Sequence, residues 1–125
     1  MGYRSEVAIK CEEKAFEMFR ETYKRVELVP DKVYKDGEYF ILYWDWIKWY
    51  ESYDDIMEIE GVMDALDAIG VQNEINNTKE TGYGYRFMRL GEDDIDIETR
   101  ENDWSIELLM IRKIDIPEDA EEIEK

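Results

Sequence analysis

The chain contains no histidine, which removes the usual general base, the commonest metal ligand and the side chain that switches charge near neutral pH. Its one cysteine, Cys11, excludes an internal disulfide and a multi-cysteine metal site. No apolar run approaches the ~20 residues of a membrane span, and the opening MGYRSEVAIKCEEK lacks the apolar core of a signal peptide. A cytoplasmic protein with no membrane contact is the expectation. Positive charge is scarce: 16 Lys and Arg face 33 Asp and Glu, a net charge of −17. Such a field repels phosphates and anionic lipids and attracts basic proteins in a salt-dependent way. Direct nucleic-acid binding is therefore disfavoured, whereas imitation of a nucleic acid is not.

Catalytic signatures are missing too. Gly82-Tyr83-Gly84 is too short for a dinucleotide fingerprint and precedes a strand pattern. No nucleophile motif appears, and with 33 acids chance carboxylate pairs are inevitable. The acidic run 91–98 fails as an EF-hand, because the sixth position is Thr99 counted from Asp94 and Ile97 counted from Glu92. The chain reads as a non-enzyme with no catalytic residues, no metal and no cofactor.

What is present describes a folded body. The chain has 125 residues, 44% apolar, with nine Tyr, four Trp and four Phe, far too aromatic for an acidic disordered chain. Residues 3–11 alternate as a half-buried strand, with Val7, Ile9 and Cys11 on the core side. From Glu12 to Arg25 the period becomes helical, on a stripe of Ala15, Phe16, Phe19 and Tyr23. Residues 26–38 connect through Pro30 and the turn pair Asp36-Gly37, with room for a minor strand. EYFILYWDWIKWY reads as a central strand, apolar on both faces, with Phe40, Leu42, Trp44 and Trp46 together. Ser52 and Asp55 form a variant capping box, followed by Ile56, Ile59, Val62, Met63, Leu66 and Ile69 at helical spacing and Gly70 as C-cap. Residues 72–82 read as loop. The remainder reads as a strand meander in which Ile95 and Ile97 point inward and the acids outward, ending in the strand WSIELLMIRKI. The expected fold is α+β: a single domain, two helices on one face of a largely antiparallel four- to five-stranded sheet, in the order β-α-β-α-β-β-β. Residues 1–116 form the acidic domain, and 117–125 an acidic tail, frayed or loosely helical.

Three features are candidates for partner binding. The second helix displays Asp54, Asp55, Glu58, Glu60, Asp64 and Asp67, and no Lys or Arg stands between Lys48 and Lys79. Carboxylates three and four apart sit on adjacent turns, near the phosphate spacing of one DNA strand, and repel one another by roughly 0.2–0.5 kcal/mol per pair. A second acidic group, Glu92, Asp93, Asp94, Asp96 and Glu98, follows Gly91. The third feature is aromatic: Tyr43, Trp44, Trp46, Trp49, Tyr50 and Tyr53 exceed what one strand face hides. That leaves Trp46, Trp49 and Tyr50 as anchors for a protein partner or for a homodimer.

Three stretches also carry a resemblance: GYRSEVAI at 2–9, WDWIKWY at 44–50 and YRFMRLGED at 85–93. Together they resemble a recurrent family of small acidic proteins encoded by bacteriophages and prophages. The resemblance implies a protein made inside a bacterial host. It also implies an anti-defence role, such as an anti-CRISPR protein occupying the basic nucleic-acid channel of a Cas nuclease complex. Two alternatives remain. One is a nucleotide second-messenger sponge using Arg86, Arg89, Arg112 and Lys113; the other is a structural or regulatory phage protein that self-associates through its aromatic residues.

Overall fold

The computed structural model describes residues 3–78, 80–93, 95–110 and 114–125. Within them the chain runs β1 (Ser5–Cys11), α1 (Glu13–Arg25), β2 (Lys32–Asp36), β3 (Tyr39–Ile47), α2 (Asp54–Asn76), β4 (Tyr85–Leu90), β5 (Ile97–Glu101), β6 (Leu109–Met110), β7 (Ile114–Asp115) and β8 (Glu121–Ile123). The fold is α+β, with two helices and an antiparallel sheet. That sheet has six strands rather than four or five, ordered β5-β4-β1-β3-β2-β8, and β6 and β7 form a separate two-stranded ladder.

β1 and β3 fill the two middle places, so β1 is buried along its whole length rather than on one face. Its alternation still sorts two cores. Val7, Ile9 and Cys11 join Leu42, Trp44 and Phe87 beneath both helices, where α1 contributes Phe16, Phe19 and Tyr23 and α2 contributes Ile56, Ile59, Met63 and Leu66. At roughly 1.5–3 kcal/mol per fully buried large apolar side chain, this layer dominates the stability of the fold. On the opposite face Ala8, Tyr43 and Met88 pack against Leu108 and Ile114. The segment expected as one final strand instead turns at 104–105 and straps the second face through Leu108 and Ile114, with β6 and β7 apart from the main sheet; residues 111–113 of that expected strand lie outside the described residues.

Glu6 fastens that strap. The side chain is only 8% exposed, its Oε1 accepts the Ile114 N–H at 2.7 Å, and its other oxygen accepts the Tyr43 hydroxyl.

The acidic tail is no frayed end. β8 pairs with β2 at the far edge of the sheet, Val33 opposite Ile123, because Ile123 completes the helix-side core.

Two helix boundaries differ from the sequence pattern. α2 continues past Gly70 to Asn76, since one exposed glycine costs a helix only about 1 kcal/mol. It ends at Asn77, whose left-handed conformation (φ 52°) suits asparagine, with the Thr78 N–H closing on the Asn73 carbonyl at 2.9 Å. At the other end Ser52 and Asp55 form no capping box; the Asp55 carboxylate instead accepts the Ile56 N–H at 2.8 Å.

Cys11 lies wholly inside the core, and burial, helped by the charge of Glu12, raises its thiol pKa well above the ordinary value. A thiol reagent is expected to label Cys11 only as fast as the protein unfolds. Rapid labelling of the native protein at neutral pH would contradict its place in the core.

Candidate partner-binding surface

A β-bulge builds one end of this surface. Ser5 pairs with Ile47 and Val7 with Trp44, so Asp45 and Trp46 together oppose the single residue Glu6. Trp46 takes up the extra residue with a positive φ of 60°, a rare conformation for a non-glycine side chain. The bulge swings Trp46 off the face it would otherwise share with Trp44, leaving it 57% exposed. Trp49 goes the other way. It is buried, edge-on to Trp44 at 5.5 Å and beside Phe87 at 5.8 Å, and so is part of the core rather than an anchor. Tyr50 is half-buried and packs edge-on against Tyr53 at 5.1 Å.

Residues Tyr3 and Arg4 gather the neighbouring groups. The Tyr3 N–H donates to the Tyr50 hydroxyl at 2.6 Å, and its own hydroxyl donates to Asp96 Oδ2 at 2.6 Å while accepting the Asp93 N–H at 3.1 Å. The Arg4 N–H donates to Glu92 Oε1 at 2.9 Å, and its guanidinium donates to the Trp46 carbonyl at 3.3 Å. Trp46, Tyr50, Glu92, Asp93 and Asp96 thus meet at one end of the sheet. Asp94 lies outside the described residues.

The inward isoleucines of this loop are a misreading that the register corrects. β5 pairs with β4 so that Glu98 stands opposite Arg89 and Arg100 opposite Phe87 on the helix side. Ile95 and Ile97 consequently face solvent, 93% and 53% exposed. Arg89 makes the inverted arrangement favourable. Its guanidinium grips Asp96 at 2.8 and 3.1 Å and Glu98 at 2.9 Å, and also donates to Ser5 Oγ at 3.0 Å. Such bidentate charge-assisted bonds are about twice as strong as neutral ones. Arg89 and then the Tyr3 hydroxyl hold the Asp96 carboxyl below its ordinary pKa.

The acids of α2 do not form a single face. At 100° per residue Glu60, Asp64 and Asp67 lie on one flank of the buried stripe and Asp54 and Glu58 on the other, while Asp55 sits at the helix start in line with the stripe itself. On the first flank Arg100 of β5 reaches Asp64 at 2.6 Å and Asp67 at 2.7 Å, and Asp67 also accepts the Tyr85 hydroxyl at 2.9 Å. On the second, Glu58 pairs with Arg25 of α1 at 3.1 Å, next to a depression lined by Val26, Ser52, Tyr53, Asp54 and Asp55. The helix that has no basic residue of its own takes its counter-charges from α1 and β5.

Glu60 joins the first flank to the loop. Its pKa is raised by partial burial and then by the charges of Glu51 and Glu98, with Asp64 adding to the repulsion and Arg100 opposing it. The acidic flank of α2 and Glu98 of β5 are therefore electrostatic neighbours.

Opposite pH signs follow. Glu60, with a raised pKa in the fold, contributes stability that is present at low pH and lost as pH rises through that value. Asp96, with a lowered pKa, contributes stability present above its unfolded value near 3.9 and lost as pH falls through the folded one. The melting temperature is expected to rise on mild acidification from pH 7 and to fall steeply only below about pH 4. A monotonic fall from pH 7 downward would contradict the crowding at Glu60.

The cations considered for an anionic ligand are occupied where they are described. Arg89 is held as above, and Arg86 donates to the Ile106 carbonyl at 3.0 Å with its Nε buried and unpartnered. Arg112 and Lys113 lie outside the described residues. Among the described residues no cluster of three potential metal ligands is found, and no helix is long and apolar enough to cross a membrane. No protein-family model, no curated protein and no solved structure matches the chain.

Proposed function

We propose that the protein is a non-catalytic inhibitor that docks its acidic surface onto the basic nucleic-acid channel of a partner protein. The observation that carries this reading is the crowding of the partly buried Glu60 by Glu51 before α2, Glu98 of β5 and Asp64 of its own helix. An arrangement that costs stability inside the fold is relieved when lysines and arginines approach from outside. Trp46, held out by a strained bulge beside Glu92, supplies the rigid apolar contact that such interfaces use as an anchor. The three stretches that resemble small acidic phage proteins meet here, through the contacts of Tyr3 and Arg4 with Trp46, Tyr50 and Glu92. That resemblance makes a host defence nuclease, a CRISPR complex above all, the partner class to test first. The triple substitution Glu60→Gln, Glu92→Gln, Asp93→Asn removes charge without breaking any ion pair found among the described residues. It is expected to weaken binding to a purified Cas nuclease complex at least about tenfold, about 1.4 kcal/mol. Removing three charges at Glu118, Asp119 and Glu124, at the opposite edge of the sheet, is expected to leave binding within about twofold. Equal losses from both variants would reduce the surface to a general effect of net charge.

A further inference from the structure

β5 is the outer strand of the six-stranded sheet, and among the described residues nothing pairs with its other edge. The hydrogen-bond phase fixes what that edge offers. Gly91 donates to the Asp96 carbonyl and Asn102 to the Tyr85 carbonyl, so the alternate residues Glu98 and Arg100 also turn their backbone groups toward β4. Ile97, Thr99 and Glu101 direct theirs outward. An open edge with free N–H and C=O groups is a template for another strand.

The sequence of β5, Ile-Glu-Thr-Arg-Glu, pairs with itself about its centre without setting like charges opposite one another. Two copies paired antiparallel about a two-fold axis at Thr99 place Thr99 opposite Thr99 as a hydrogen-bonded pair. The same axis sets Glu98 of each copy opposite Arg100 of the other. These flanking pairs are of the non-hydrogen-bonded kind, in which side chains come closest. Glu98 and Arg100 keep Arg89, Asp64 and Asp67 as partners within their own chain, and the register sets no like charges opposite one another. The axis also brings the start of one β5 beside the end of the other. Ile95, 93% exposed, precedes the strand, and Trp104, 85% exposed, follows it. These two most exposed large apolar side chains of the described structure thus fall at the same end of the paired strands, one from each copy.

We propose that a second copy of this chain pairs with the open edge of β5, joining two sheets into one of twelve strands. The net charge of −17 per chain opposes this association, and salt screens that repulsion. Self-pairing therefore strengthens with ionic strength, whereas docking onto a basic partner weakens with it, so failure of one leaves the other standing.

Sedimentation equilibrium of the full chain at about 0.5 M salt, where the screening length is a few ångström, is the test. The weight-average mass is expected to rise from 15.1 kDa toward twice that value with concentration. Thr99→Pro removes an outward N–H and no bond to β4, and is expected to raise the dimer dissociation constant at least about tenfold. The paired variant Ile95→Lys, Trp104→Ser alters only exposed side chains and is expected to weaken the dimer in the same direction. A chain that stays at 15.1 kDa up to about 1 mM overturns the proposal, as does a dimer indifferent to both variants.

Discussion

Gly91→Ala is expected to destabilise the fold by about 3 kcal/mol and to release the 91–96 loop, read as a drop in the denaturation midpoint. A Cβ built at Gly91 would collide with Asp96 Oδ2 and the Tyr3 hydroxyl, the two atoms of the hydrogen bond that ties the residue ahead of β1 to the loop. Neither can retreat freely. Asp96 is held from behind by Arg89, and Tyr3 is fixed by its backbone bond to Tyr50. The alanine methyl therefore either strains the backbone or parts Tyr3 from Asp96. The second route leaves the Arg89–Asp96 pair with one hydrogen bond fewer. A partial check separates the two. Adding Tyr3→Phe to Gly91→Ala removes one colliding atom, and the double variant is expected to lose less than the sum of the single losses. Simple additivity would mean the two residues do not share this contact.

Glu6→Leu is expected to cost about 3–4 kcal/mol and to loosen the strap at Leu108 and Ile114 before the rest of the sheet. The carboxylate is the acceptor for both the Tyr43 hydroxyl and the Ile114 N–H, and all three groups sit between the sheet and the strap. Leucine leaves both donors without an acceptor in a buried place, at about 1–3 kcal/mol each. Glu6→Gln keeps one carbonyl oxygen and is expected to lose about half as much. Native-state hydrogen exchange at Ile114 reads the effect locally. Unchanged protection there in Glu6→Leu would show that the strap is held by Leu108 and Ile114 packing alone.

The parts of this fold legible in the sequence are those governed by near neighbours. The stripe of Ala15, Phe16, Phe19 and Tyr23 and the run from Ile56 to Leu66 are buried as their spacing requires. The departures share one cause, contacts made across the chain. Nothing local distinguishes an outward Ile97 from an inward one, since the choice belongs to Arg89, whose guanidinium stabilises Glu98 on the helix side. The acidic helix looks uncompensated because its cations, Arg25 and Arg100, lie 33 and 36 residues away from the acids they meet. Trp46 and Trp49 are indistinguishable by composition, and the bulge opposite Glu6 decides which is exposed. Likewise the tail is polar enough to fray, yet Ile123 in the core, strand pairing with β2 and the Tyr23 hydroxyl on the Lys125 carbonyl seat it beside Val33. The acidic candidate residues were therefore found by type. Their division into an inward-paired set around Arg89 and Arg100 and a set free to meet a partner needed the fold.

The docking surface is tested most directly by titrating salt and competing DNA against the protein bound to a Cas nuclease complex. The expected result is affinity that falls at least about tenfold between roughly 50 and roughly 200 mM salt, with target or guide nucleic acid displacing the protein from the channel. Binding that ignores both salt and nucleic acid, or no binding at low salt, would contradict it.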